Sequence, residues 1–443
     1  MLRTLAAEAA RRFGQQVSFA AVRLRQGPPP TELAEAAAGD PQAGQPPPAA
    51  GPAEPAETQA QSQAPDERVT WRLTYADLDR LSDEVAAGLA FRGVLPGDVV
   101  ALALPTAPEY PICYLATVKI GAVVAGLDPR WRPTLLDRVT ELLRPTITVA
   151  PFGLNIGPGP DGDLVRITLA ANGESALAGF RRAEPPPPPL PPDSARPAVI
   201  AFTSGGTGIP RGAVFGVNQL DAIRACEAGN RWGGAEGNVV LTTIPFAHYS
   251  FMTRLPAMLQ SGQSNFLMES WRPERVLDVA AAVRADQLTG LSAQLAELVA
   301  HPLPTAGPPS LNLIVTEDAG LPAGLVPGLR QRFGVGVQVR YGCAEAGLGL
   351  STLPDDPASD VDGCVGTPAP GVTLALRDAG GHDVAPGEIG HVLLRSAACM
   401  SGYWNDPQAS TVAFTSDRFV RTGDRGRLDD EGRLLLTDRD GPG

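Results

Sequence analysis

Cysteine, histidine, aromatic side chains and long apolar runs are all scarce in this chain of 443 residues. The five cysteines, at 113, 226, 343, 364 and 399, are odd in number and widely spaced, with no C-x-x-C pair. That pattern argues against a disulfide framework or a zinc site and fits a reducing cytoplasm, the expected location. The four histidines show no metal-ligand spacing. Basic residues number 36 against 48 acidic ones, a formal net charge of −12. A nucleic-acid-binding surface would be basic and clustered, so none is expected. No apolar run approaches the roughly 18–20 residues of a membrane span. The opening Met1-Leu2-Arg3-Thr4-Leu5-Ala6 leads into charged residues, which does not read as a signal peptide.

What is present is a hydrophobic content of 43%, with 49 glycines and 45 prolines. The length exceeds one ordinary core, so two or more subdomains are expected. Residues 1–25 carry a helical pattern (Leu2, Leu5, Ala6, Ala9, Phe13) and then a strand, Val17 to Val22. Residues 26–66 are rich in Pro, Ala, Gly and Gln and read as a disordered insertion, with too little apolar surface to offset the ordering entropy. From Val69 to Ala150 helical and strand patterns alternate. That alternation implies a parallel sheet covered by helices. A proline run from Pro185 to Pro192 reads as an exposed spacer. More βα units follow to about residue 340, and from Gly371 short strands alternate with turns, as in a small antiparallel barrel-like subdomain. The expected organisation is a first α/β subdomain from 1–25 and 67–195, a second from 196–360, a small β subdomain from 361–436, and a hinge beginning at 437.

One stretch carries the chemistry. The apolar run Ala198 to Phe202 reads as a buried strand. It runs into Thr203-Ser204-Gly205-Gly206-Thr207-Gly208-Ile209-Pro210-Arg211-Gly212. The glycines allow backbone N–H groups to approach an anion. The hydroxyls and Arg211 add donors and a fixed positive charge. The Walker pattern fails, because Pro210-Arg211 stands where Gly-Lys is required. The dinucleotide pattern fails too, with Arg211 at its last position. Taken alone, the segment also fits a flexible Gly/Ser/Thr turn.

Other motifs follow in a fixed order. They are Pro245-Phe246-Ala247-His248, Tyr341-Gly342-Cys343-Ala344-Glu345, Gly387-Glu388-Ile389-Gly390, Gly402-Tyr403-Trp404-Asn405-Asp406-Pro407, and Arg421-Thr422-Gly423-Asp424 before Gly426. With the loop, this order resembles the adenylate-forming superfamily of acyl- and aryl-CoA synthetases, peptide-synthetase adenylation domains and luciferases. The resemblance covers about residues 68–440.

The resemblance implies ATP and Mg²⁺ as cofactors. Thr203 to Gly212 would hold the β- and γ-phosphates, Tyr341 with Gly342 would meet the adenine, and Glu345 would ligate Mg²⁺. Asp424 would accept from the ribose hydroxyls, with Arg439 reaching ribose or phosphate. His248 would line the passage for the substrate carboxylate. Taken singly, Tyr341 also fits a core aromatic, Glu345 and Asp424 solvated acids, His248 a structural histidine, and Arg439 a surface ion pair.

The implied reaction is attack of a carboxylate on the α-phosphate of ATP, giving acyl-AMP and pyrophosphate. The acceptor would be CoA or a carrier protein's phosphopantetheine. No acid stands in Pro245 to Tyr249 to pair an α-amino group, so a fatty or aryl acid is expected.

The sequence departs from the pattern at Gly206, Arg211, Ala344 and Glu317-Asp318-Ala319. The family's smaller C-terminal domain, with its lysine, would follow the hinge; the sequence stopping at Gly443 reads either as a truncation or fragment or as a naturally shortened protein. These departures motivate the alternative of a degenerate nucleotide- or acyl-adenylate-binding protein, or a partner of another ligase.

Overall fold

A computed structural model describes residues 1–23, 68–170, 172–203, 208–229, 231–233, 238–268, 271–303, 309–317, 320–357 and 361–439. The expected insertion at 26–66, and Ser204, Gly205, Gly206 and Thr207 of the loop, lie outside them.

Short apolar runs become strands buried on both faces. Val99–Leu102 and Val123–Gly126 are fully buried, as a sheet covered by helices requires. They belong to a seven-stranded sheet. Asp163–Ile167, Ile147–Pro151, Val99–Leu102, Val123–Gly126 and Pro197–Phe202 run parallel in that spatial order. Gly212–Gly216 and Gly402–Tyr403 then add antiparallel strands at one edge.

The larger sheet has thirteen strands in hydrogen-bonded order. Its parallel part runs Gly336–Tyr341, Leu313–Thr316, Gln287–Gly290, Val239–Thr242, Ser264–Met268, Val17–Arg23. Arg68–Thr74 closes one end antiparallel. Beyond Tyr341 the ladder continues antiparallel through Leu350–Ser351, Cys364–Pro368, Leu434–Arg439, Val420–Leu428, Gly390–Arg395 and Thr373–Arg377. The antiparallel region expected after residue 360 is thus joined to the parallel sheet by hydrogen bonds.

The pairing gives two strands their neighbours. Val17–Arg23 lies between Arg68–Thr74, its antiparallel neighbour, and Ser264–Met268, its parallel one, with Phe19 opposite Asn265. Ser18, Phe19 and Ala20 are all buried, and a strand apolar on both faces needs cover on both sides. Likewise Pro197–Phe202, expected to open the second subdomain, lies beside Val123–Gly126 in the smaller sheet.

The two sheets meet at an aromatic cluster. Phe246 and Phe251 stack with centroids 3.8 Å apart, and Tyr110 and Phe19 meet Phe246 edge-on. Gly126 has to be glycine here, because a Cβ would lie 2.6 Å from the Tyr110 hydroxyl and 3.2 Å from Ala247 Cα. The helix Tyr249–Ser261 crosses this junction with Pro256 in its interior. Proline has no N–H to offer the carbonyl four residues back. The Tyr114 hydroxyl donates to that carbonyl, Met252 O, at 2.7 Å instead. No helix among the described residues is long and apolar enough to cross a membrane, and all five cysteines are free thiols.

Candidate active site

The loop after Phe202 connects two antiparallel neighbours, so its ends are held together. Thr203 N–H donates to Arg211 O at 3.0 Å, and Arg211 N–H donates to Thr203 Oγ1 at 3.1 Å. Gly212 opens the return strand, where a Cβ would strike Ile200 Cγ2 at 2.5 Å. Gly208 lies on the exposed outer part of the connection.

The segment after Ser401 is laid along this hairpin. Trp404 N–H donates to Gly212 O at 2.8 Å. The Arg211 guanidinium sits 5.8 Å from the Tyr403 ring centroid and 3.9 Å from the Asp406 carboxylate. Its side chain is 56% exposed, so that ion pair adds little stability and leaves the charge facing solvent.

Tyr403 links the hairpin to Glu345. Its hydroxyl donates to Glu345 Oε1 at 2.7 Å. Glu345 is also tied through its backbone, accepting from Met400 N–H at 2.9 Å. Burial pushes the Tyr403 phenol up, and Glu345 pushes it further, so the hydroxyl keeps its proton and remains a donor. Sequence motifs mark Gly402-Tyr403 without giving it a role; the contact to Glu345 spans 58 residues and is visible only in three dimensions.

Tyr341 ends the last parallel strand, and its hydroxyl donates to Asp424 Oδ2 at 2.8 Å. Tyr341 is 2% exposed and Asp424 5%. Gly342 follows beneath the Tyr249 hydroxyl, where a Cβ would be crowded at 3.1 Å. Arg439 pairs with Asp424 through the backbone ladder.

His248 is the N-cap of the helix Tyr249–Ser261. Its Nδ1 accepts from Ser250 N–H at 3.4 Å and lies 2.9 Å from Ser250 Oγ. Burial pushes the imidazole down to about 4. The ring is therefore neutral at pH 7. An accepting Nδ1 leaves the proton on Nε2. That N–H can donate to an oxygen without bringing a net charge.

Beside His248 lies a buried ion chain that sequence reasoning missed. Arg254 pairs with Glu227, and its Nη1 reaches Glu317 Oε2 at 3.0 Å. Arg340 Nη1 reaches Glu317 Oε1 at 3.3 Å. Burial alone would raise the Glu317 carboxyl, but Arg254 and Arg340 outweigh it and hold it below the usual range. Both Glu317 carboxylate oxygens are bound by guanidinium groups. The available signal was Arg254, the single charged side chain in a thirteen-residue helix. Asp318 and Ala319 lie outside the described residues. A pocket of about 150 Å³ opens between this ion chain, the helix and the larger sheet.

Among the described residues no group of three or more His, Cys, Asp or Glu side chains could hold a metal ion alone. Glu345 supplies one carboxylate, which suits a hard cation that takes its other ligands from phosphate oxygens and water.

Comparison with known proteins gives the family. A family model described as AMP-binding enzyme matches residues 55–404. An indoleacetate–CoA ligase of Aromatoleum aromaticum is 30% identical over 385 residues, spanning 83% of this chain and 73% of that enzyme. A fatty acid–[acyl-carrier-protein] ligase, ScoC of Streptomyces coeruleorubidus, is 27% identical over 386 residues, 83% of this chain and 72% of its own length. Among solved structures, the N-terminal domain of FACL13 from Mycobacterium tuberculosis aligns over 99% of both chains with a TM-score of 0.75 at 18% identity, a likeness of fold. The chain belongs to the AMP-binding enzyme family and is an adenylate-forming ligase.

Proposed function

We propose that the chain activates a carboxylic acid without an α-amino group, fatty or aryl, by joining it to the AMP moiety of ATP with release of pyrophosphate. CoA or a carrier protein's phosphopantetheine then takes the acyl group. The observation that supports this reading is the Tyr403 bridge: its hydroxyl holds Glu345 while its backbone pairs with Gly212–Gly216, the strand that follows the Gly-rich loop.

The donor set fits a nucleotide with a divalent cation: a Gly-rich connection, an exposed guanidinium, a carboxylate held on one side, and a second carboxylate beside a tyrosine. Backbone N–H groups of the hairpin and Arg211 grip the phosphates and draw charge toward the leaving pyrophosphate. Glu345, held by Tyr403, provides the protein ligand for Mg²⁺, which when bound neutralises charge spreading over the phosphates. His248 Nε2–H orients the attacking carboxylate, and its neutral ring leaves that carboxylate ionised and nucleophilic. Tyr341 and Asp424, joined by their hydrogen bond, are assigned to adenine and ribose. Glu317 lies close to His248, but its charge is already paired with Arg254 and Arg340, so it offers nothing to a substrate ammonium. That favours an acid lacking the amino group.

A second reading, nucleotide or acyl-adenylate binding without chemistry, draws support from the buried Tyr341–Asp424 pair and from Ala344, which has no hydroxyl to offer a phosphate. Carboxylate-dependent ATP–pyrophosphate exchange separates the two. Exchange with any fatty or aryl acid is the expected result. ATP binding by calorimetry with no exchange across the panel would refute catalysis by this chain.

A further inference from the structure

The pocket beside His248 narrows the acid, an inference that rests on the acid-activation reading. Its volume is about 150 Å³. A dry cavity of about that size holds one benzene molecule. A long alkyl chain has several times as many carbons and cannot be enclosed there.

The lining is of three kinds. Phe246, Phe251 and Met258 present aromatic faces and a thioether, surfaces that favour a ring. Glu227, Arg254, Glu317 and Arg340 form the charged wall, and they pair two against two. With each charge already answered, a second carboxylate or an ammonium on the substrate would lose its water and find no counter-ion. Thr242, Gln287 and Thr289 line the floor with neutral polar groups, Gln287 Nε2 donating to Thr289 Oγ1 at 2.9 Å. A hydroxyl or ether on the ring can hydrogen-bond there without upsetting the ion chain.

Ser250 sets the direction. It lines the pocket, and its Oγ lies 2.9 Å from His248 Nδ1. The imidazole therefore stands at the pocket's edge, where the carboxylate end of the acid belongs.

We propose that this pocket takes the ring of a one-ring aryl or arylalkanoic acid bearing an uncharged polar substituent, and rejects long alkyl chains, dicarboxylates and amino acids.

The test uses the 443-residue chain. ATP–pyrophosphate exchange is measured with para-hydroxyphenylacetate, para-hydroxycinnamate, acetate, palmitate, succinate and phenylalanine. The ring acids are expected to exceed palmitate, succinate and phenylalanine in kcat/KM by at least tenfold. Ala257→Leu, which fills the pocket, should raise KM for the ring acids at least tenfold and for acetate less than threefold. Met258→Ala, which enlarges it, should narrow the gap to palmitate; circular dichroism and ATP binding confirm that both variants fold. A preference for palmitate, succinate or phenylalanine overturns the inference and leaves acid activation standing. Exchange with no acid overturns activation, and calorimetric titration of para-hydroxyphenylacetate then decides the pocket. Binding weakened tenfold by Ala257→Leu supports the inference, and no binding, or binding indifferent to that change, overturns it.

Discussion

Replacing Glu317 by Gln removes the one charge that two guanidinium groups share. The contacts are 3.0 Å to Arg254 and 3.3 Å to Arg340. At an effective dielectric of about 20, each is worth roughly 5 kcal/mol of gross attraction. Against this stands the cost of dehydrating a carboxylate that is 6% exposed, several kcal/mol per ion. Removing one partner from a buried pair costs about 3–5 kcal/mol, because the remaining charge is stranded. Here Arg254 keeps Glu227, and the Arg340 side chain is 31% exposed and partly hydrated. The expected loss therefore sits at the lower end, about 3 kcal/mol.

Urea unfolding followed by fluorescence reads it as a lower midpoint at unchanged slope. The double variant Glu317→Met with Arg340→Met should cost less than the sum of its two single changes, since both ions of that pair are then removed while Arg254 keeps Glu227. The pH dependence has a definite sign. The folded Glu317 carboxyl is held low, so its stabilisation is present above the ordinary carboxylate range and is lost as pH falls through the lowered value. The gap between wild type and Glu317→Gln should close in strong acid. A loss under about 1 kcal/mol, or a double variant additive within about 0.5 kcal/mol, would refute the coupled ion chain.

Two further predictions concern the site. Tyr403→Phe deletes a hydrogen bond to a charged oxygen, worth about 1.5–3 kcal/mol, so the Mg²⁺ concentration for half-maximal exchange should rise at least tenfold; an unchanged Mg²⁺ titration counts against Tyr403 as the group positioning Glu345. For His248, burial lowers the ring from 6.5 to about 4, so the unfolded chain binds more protons between those values. Stability should fall as pH drops through that window, by up to about 3 kcal/mol, and His248→Gln should flatten the slope. Identical slopes in the two proteins would show that the ring is not desolvated.

Much of this architecture is legible in the residue order, and the reasons are local. Val99 to Leu104 and Ala122 to Leu127 read as strands because each is a short apolar run bounded by turn residues, and the observed strands, Val99–Leu102 and Val123–Gly126, lie within them. The hairpin of 203–211 reads as an anion loop because its residue types carry the donors. What stayed hidden is long-range. Sheet membership of Val17–Arg23 depends on a partner about 250 residues away, and apolar runs do not name their neighbours. The pairing of Glu317 was not legible because its partners Arg254 and Arg340 lie 63 and 23 residues away in sequence. Tyr341 and Asp424 were each legible as a candidate site residue but not as a buried, hydrogen-bonded pair, since burial is a property of the packed whole.

The placement of Val17–Arg23 also bears on synthesis. Its antiparallel partner, Arg68–Thr74, leaves the ribosome soon after it, whereas its parallel partner, Ser264–Met268, comes almost 200 residues later still. At about 5–20 residues per second that interval is on the order of 10–40 s. Through it the nascent two-stranded ribbon carries an unpaired apolar edge, open to pairing with other chains. Slower translation before residue 264 should lengthen that exposure, and a chaperone that shields the ribbon should raise the yield of native protein.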